Sequence, residues 1–125
     1  MAKRPISPAL HGLIDHGFGV LNTAGPAALG LTGSARAAPA VAAVAQGTLN
    51  ALTAQPYAAA RIVPFHLHGR LESVGVPALL VATIATGAWK QPRAPLFFGG
   101  LFLALGAVYA LTDWNAWPTS RKPSQ

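Results

Sequence analysis

The sequence predicts an all-α protein, four transmembrane helices in a bundle built from two parallel two-helix repeats. Three observations carry that expectation. Hydrophobic residues make up 52% of the 125-residue chain and charged residues only 10%, against about 25% in soluble domains. So few charges make a water-facing surface hard to build. Residues 17–35, 37–60 and 94–112 contain no charged side chain, and runs of that length approach what is needed to cross about 30 Å of hydrocarbon. Finally, the chain repeats itself. His68-Gly69-Arg70-Leu71-Glu72 follows His11-Gly12-Leu13-Ile14-Asp15 at an offset of 57 residues, and Arg4/Arg61, Ile6/Val63 and Leu10/Leu67 extend the match. Gly106–Thr112 resembles Gly47–Thr53 at an offset of 59. Two matched segments in the same order indicate an internal duplication.

The whole chain reads as one integral membrane domain, with repeat 1 over about 4–54, repeat 2 over about 61–113 and a polar tail at 118–125. The first helix is expected over Pro8–Pro26, with Ser7 as its cap and Pro8 in its first turn. At 100° per residue His11, Asp15, Gly19, Asn22 and Pro26 share one narrow stripe, while Leu10, Leu13, Ile14, Phe18, Val20 and Leu21 cover the other sides. That pattern is inverted for water and suits a bilayer, where apolar faces meet lipid and the stripe meets other helices. The Lys3/Arg4 head does not read as a cleaved signal peptide, because Asp15, His16 and Asn22 interrupt the apolar segment.

Gly30–Ser34 reads as the exit turn, and the Ala-rich run 37–60 as a second helix ending near Gln55-Pro56-Tyr57. It is the weakest span by hydropathy, with small residues suited to close packing. The third helix is expected from Pro64 to Trp89, with His68, Glu72, Gly75, Leu79, Thr83 and Thr86 on one stripe. Lys90–Arg93 makes a polar turn, and Ala94–Thr112 is the clearest span. Tyr57, Trp89, Trp114 and Trp117 fall at helix ends, where interfacial aromatics sit.

Four spans put both termini on one side, with Lys3, Arg4, Arg61, Arg121 and Lys122, against Arg36, Lys90 and Arg93 on the other. The positive-inside rule then places the termini in the cytoplasm. The net charge of +6 does not indicate nucleic acid, because the basic residues are scattered and do not form one footprint. The absence of Cys rules out disulfides and thiolate metal sites.

The motif His11-Gly12-Leu13-Ile14-Asp15, then Gly19, then Pro26 resembles the SPW-repeat small integral membrane proteins of bacteria. Their repeat has a His-Gly-x-x-Asp helix start, a Gly four residues after the Asp and a Pro seven after that Gly. The similarity covers about residues 4–115. The chain departs from the pattern at Ala27, which follows the Pro where the family has Trp, and at Glu72, Val76 and Thr83 in the second half. The resemblance implies a four-helix protein of the bacterial inner membrane and assigns it no activity.

The functional expectation rests on a polar cluster of His11, Asp15, His68 and Glu72, with Arg70 as a charge partner. An ionisable group inside a span costs at least ~2.5 kcal/mol, so both carboxylates need partners. The favoured reading is a structural or accessory membrane protein, with each carboxylate bonded to a His and with Asn22, Gln46 and Asn50 bonding between helices. Arg70, His66, His16 and Asp113 are expected on the same side as the cluster. One alternative is a metal or haem site using His11, His68, Asp15 and Glu72; a second is a small transporter or proton relay. No cofactor is expected on the favoured reading. No nucleophile motif marks an enzyme, and no catalytic residue is assigned. The expected partners are the lipid bilayer and a second copy or membrane-complex subunit.

Overall fold

The computed structural model describes residues 3–116; Trp117, the tail 118–125 with Arg121 and Lys122, and Met1 and Ala2 lie outside the described residues. The described chain folds into four α-helices: α1 (Pro8–Ala28), α2 (Ser34–Leu52), α3 (Phe65–Ala85) and α4 (Ala94–Leu111), with a short 3₁₀ turn at Ala88–Lys90. Ser7 caps α1 through its side chain, which accepts from the Leu10 N–H at 3.2 Å. α2 stops at Leu52, short of Gln55, because Thr53 turns extended. α3 stops at Ala85, short of Trp89, because Gly87 adopts a left-handed φ of 75°. The helices pack in the cyclic order α1, α2, α3, α4, so α1 and α3 stand across the bundle from each other.

At one end of the bundle, the segment leading into each half pairs with the segment leaving the other. Ile6 N–H donates to Leu111 O and Asp113 N–H to Ile6 O, at 3.0 and 2.9 Å. The equivalents at the offsets of 57 and 59 make the same bonds: Val63 N–H to Leu52 O and Ala54 N–H to Val63 O, both 2.8 Å. At the other end the Gln91 side chain clamps the first hairpin, accepting from Thr32 N–H (2.9 Å) and donating to Thr32 O (2.8 Å).

Over much of the bundle large aliphatic side chains face outward and polar side chains are buried. Each helix exposes large aliphatic side chains, for example Val20 (67%), Val44 (71%), Val74 (69%) and Leu103 (79%). Buried residues include His11, Asp15, Asn22, Asn50, His68 and Thr83. An apolar core fills only the hairpin end, where Phe18, Leu31, Phe97, Phe98 and Leu101 pack together and Trp89 stacks on Phe98. By length and composition alone, α4 is the single described helix apolar enough to cross a membrane.

The two His-Gly glycines are sites of close approach. A Cβ on Gly12 would meet Gln55, and one on Gly69 would come within 2.7 Å of the Trp114 ring. Gly69→Ala is therefore expected to displace Trp114 and to destabilise the fold by about 1–3 kcal/mol, as overpacking does. Gly75→Ala, whose Cβ meets nothing within 4 Å, should melt no earlier than the native chain. Thermal unfolding followed by tryptophan fluorescence checks both.

Candidate metal centre

His11 and Asp15 lie one turn apart on α1, and His68 and Glu72 one turn apart on α3, so the motif spacing presents two groups per helix to the bundle axis. His11 Nε2 lies 3.4 Å from Asp15 Oδ1 and 3.2 Å from Glu72 Oε1; His68 Nε2 lies 3.3 Å from Asp15 Oδ2 and 3.0 Å from Glu72 Oε1. One potential ligand atom from each residue falls within 4.8 Å of all the others. The side chains of His11, Asp15 and His68 are sealed, and only Glu72 retains 10% exposure. Two of the chain's three acidic side chains thus sit in its interior.

The threonines fix one hydrogen on the far nitrogen of each ring. Thr112 donates its hydroxyl to Val108 O at 2.6 Å, leaving its oxygen as acceptor for His11 Nδ1 at 2.9 Å. Thr53 donates to Leu49 O at 2.6 Å and accepts from His68 Nδ1 at 2.7 Å. A hydroxyl has one proton, and both are committed to backbone. Each Nδ1 therefore carries a hydrogen, and each Nε2 turns toward the carboxylates. The bonds cross between halves: the threonine ending each half orients the histidine that begins the other.

Both Nε2 atoms are in hydrogen-bond geometry with the same Glu72 oxygen. Asp15 Oδ1 accepts from Gln46 Nε2 at 3.0 Å, while Asp15 Oδ2 is buried with no hydrogen-bond partner among the described residues. Around this centre Asn50 donates to Gly12 O at 3.0 Å, and Gln55 donates to Asn50 O at 3.1 Å. Phe65 and Trp114 cover the open end: Trp114 lies 4.8 Å from the His11 ring, and Phe65 stacks on Trp114 at 5.1 Å.

Arg70, the expected charge partner, falls outside the cluster. Arg70 is exposed and makes no ion pair among the described residues. Two positions after His68 and two before Glu72, it is rotated by about 200° from each and points away from the axis. His16 and His66 are also exposed, and the Asp113 carboxylate accepts from Asn115 N–H in the following turn. Gln46 and Asn50 bond between helices as expected, whereas Asn22 Oδ1 has no hydrogen-bond partner among the described residues. The sequence reading missed Thr53, Thr112, Gln55 and Phe65, and placed Trp114 only at a helix end. The signal was present in the second repeated segment, which ends on Thr53 in one half and Thr112 in the other. Gln55 and Trp114 follow those threonines by two residues and occupy equivalent places against Gly12 and Gly69.

The donor set fits a metal ion and does not fit haem. Two imidazoles, neutral when they ligate a metal, and two carboxylates carry a charge that one divalent cation would balance. The His–acid separations of 3.0–3.4 Å are close to the ~3.3 Å edge of a tetrahedron with ligands about 2.0–2.1 Å from its centre, while the four ligand atoms as a set spread to 4.8 Å, wider than that edge. A haem between the two histidines would need the space that the carboxylates fill. No family model, curated protein or solved structure matches the chain.

Thr53→Val and Thr112→Val should each leave a buried N–H unpaired, costing about 1–3 kcal/mol. Each should also release the facing histidine from its single tautomer. Nitrogen-15 NMR of the imidazoles reads this directly: one Nδ1–H form in the native protein, a mixture at His68 or His11 in the variant.

Proposed function

We propose that the protein is a four-span integral membrane protein whose buried quartet holds one divalent first-row transition ion. The observation that carries the metal reading is Asp15 Oδ2. With both Nδ1–H groups given to threonines, the two Nε2 atoms converge on one oxygen of Glu72. Protons on those nitrogens then serve Glu72 and leave Asp15 Oδ2 facing His68 with nothing between them. A cation at the common centre serves all four ligands at once. Nitrogen and oxygen donors without thiolate suit zinc, manganese or ferrous iron better than cuprous copper. The ion would be structural, because each of two opposed helices supplies half of its ligands and the ion ties them across the bundle.

The membrane reading is supported by the inverted polarity. Aliphatic side chains on all four helices point outward while His11, Asp15, Asn22, Asn50, His68 and Thr83 are buried, as lipid favours. Hydropathy alone selects α4 because polar residues lower the averages of α1, α2 and α3; some of these, such as Asn22, Asn50 and His68, are buried, and others, such as His16, Arg36, His66 and Arg70, are exposed. The quartet end carries Lys3, Arg4, Arg61 and Arg70, the hairpin end Arg36, Lys90 and Arg93. That bias favours a cytoplasmic quartet end and cytoplasmic termini.

Equilibrium dialysis with zinc, manganese and ferrous salts, followed by elemental analysis, should return one ion per chain. Asp15→Asn or His68→Ala should weaken binding at least tenfold and Arg70→Ala should not; binding equal in native and Asp15→Asn proteins contradicts the metal reading. Thr53→Val and Thr112→Val, which only reorient a ligand, should weaken it by about 10–100-fold. Chelation should lower the thermal midpoint of the native protein and leave that of His11→Ala/His68→Ala unchanged.

Topology is tested separately, using the natural absence of cysteine. A membrane-impermeant thiol reagent should label Ala59→Cys and Pro92→Cys from opposite faces of sealed vesicles and should leave Leu103→Cys unlabelled. Equal labelling of all three argues for an aqueous protein.

A further inference from the structure

A cavity of about 510 Å³ opens at the quartet end of the bundle. Phe65 and Trp114, the stacked pair that covers His11, form its inner wall. Its polar groups come from three separate segments: Arg61 in the connector before α3, His66 in the first turn of α3, and Asn115 in the turn after α4. Ile62 stands beside Arg61 and is 72% exposed. Among the described residues no acidic side chain lines the cavity, and neither Arg61 nor His66 makes an ion pair. The chain has three acids. Asp15 and Glu72 belong to the quartet behind the aromatic wall, and the Asp113 carboxylate accepts from the Asn115 N–H. Residues 117–125 add Arg121 and Lys122 and no acidic side chain. The duplication gives this pair of basic side chains to one half alone: Arg4 matches Arg61, but Ala9 stands where His66 does.

We propose that this cavity binds an anionic phosphate ester, its phosphate held by Arg61 and His66 and its apolar part lying against Ile62 and Trp114. An arginine presents a fork of N–H donors that matches phosphate oxygens. The His66 imidazole and the Asn115 amide add donors from two other segments. A tetrahedral phosphate has oxygens to meet donors from several sides, whereas a carboxylate has two in one plane. The apolar wall favours an ester over the bare ion, which could use only the donors. A phospholipid headgroup and a water-soluble phosphate ester share this chemistry. The headgroup is the source on the membrane reading above, because the quartet end then lies among the lipid phosphates of the anionic cytoplasmic leaflet. The phosphate chemistry itself depends neither on that reading nor on an ion in the quartet.

Native mass spectrometry of the full-length protein in detergent, titrated with single lipids, reads retention directly. Phosphatidylglycerol should be held more strongly than phosphatidylcholine or oleate by about tenfold or more, the value of one hydrogen bond to a charged group. Arg61→Gln/His66→Gln should bring phosphatidylglycerol down to the level of phosphatidylcholine. Both side chains are exposed, so this variant should melt with the native protein and keep its metal uptake. Arg70→Gln removes a charge from the same end but outside the cavity. It should weaken retention by no more than about fivefold, the value of one basic residue near an anionic membrane. Equal losses in Arg70→Gln and the double variant would reduce the effect to surface charge and overturn the site. Equal retention of oleate would remove the phosphate. Calorimetric titration with glycerol 3-phosphate separates the sources. Binding that needs Arg61 and His66, in a protein with no lipid preference, would assign the cavity to a soluble ester and count against the membrane reading alone. A native protein that prefers neither probe overturns the proposal.

Discussion

Two threonine hydroxyls fix the chemistry at the centre of this bundle. Each gives its single proton to the carbonyl one turn earlier in its own helix, so each can only accept from the histidine it faces. That sends the hydrogens to Nδ1 and the other ring nitrogens inward. Because Thr53 ends the first half and serves His68, while Thr112 ends the second and serves His11, neither half completes its own centre. The crossed backbone bonds at Ile6 and Val63 bring those threonines to the histidines, and the glycine after each histidine makes room for the residue that closes the turn.

The same arrangement explains how opposed helices are joined. α1 and α3 face each other across the bundle and meet through groups that attract ions. A half-satisfied buried polar network is worse than an apolar core. On the proposed reading an ion at the centre would be shared by all four side chains, and the surrounding amides of Gln46, Asn50 and Gln55 bond to Asp15 and to the backbone beside it. At the other end of the molecule, Phe97, Phe98 and Trp89 supply ordinary apolar packing. The bundle is therefore joined by a buried polar quartet at one end and by aromatic contacts at the other.

Much of this was legible in the residues. The spacing of His11 to Asp15 and of His68 to Glu72 reports helical faces directly, and the offset of 57 residues says that the two pairs belong together. The helix count and the inward stripe follow from periodicity. Helix ends were less legible, since Gly87 and Thr53 end their helices through backbone angles that composition does not display. Arg70 misled because a charge beside two acids in sequence suggests a partner, yet two residues along a helix is the far side. The threonines could be seen as a repeated segment but not as ligand-orienting groups. Their role depends on contacts between residues 101 and 15 positions apart, and no local pattern encodes them. Trp114 and Phe65 were hidden for the same reason.

The most direct test of the central claim is X-ray absorption at the metal edge of the protein loaded with one equivalent of zinc. A centre built from His11, His68, Asp15 and Glu72 should show a first shell of nitrogen and oxygen only, at about 2.0–2.1 Å, with outer-shell scattering from two imidazoles that falls to one in His68→Ala. A spectrum without imidazole scattering, or one unchanged by that substitution, would contradict the account and leave the quartet as a network of hydrogen bonds.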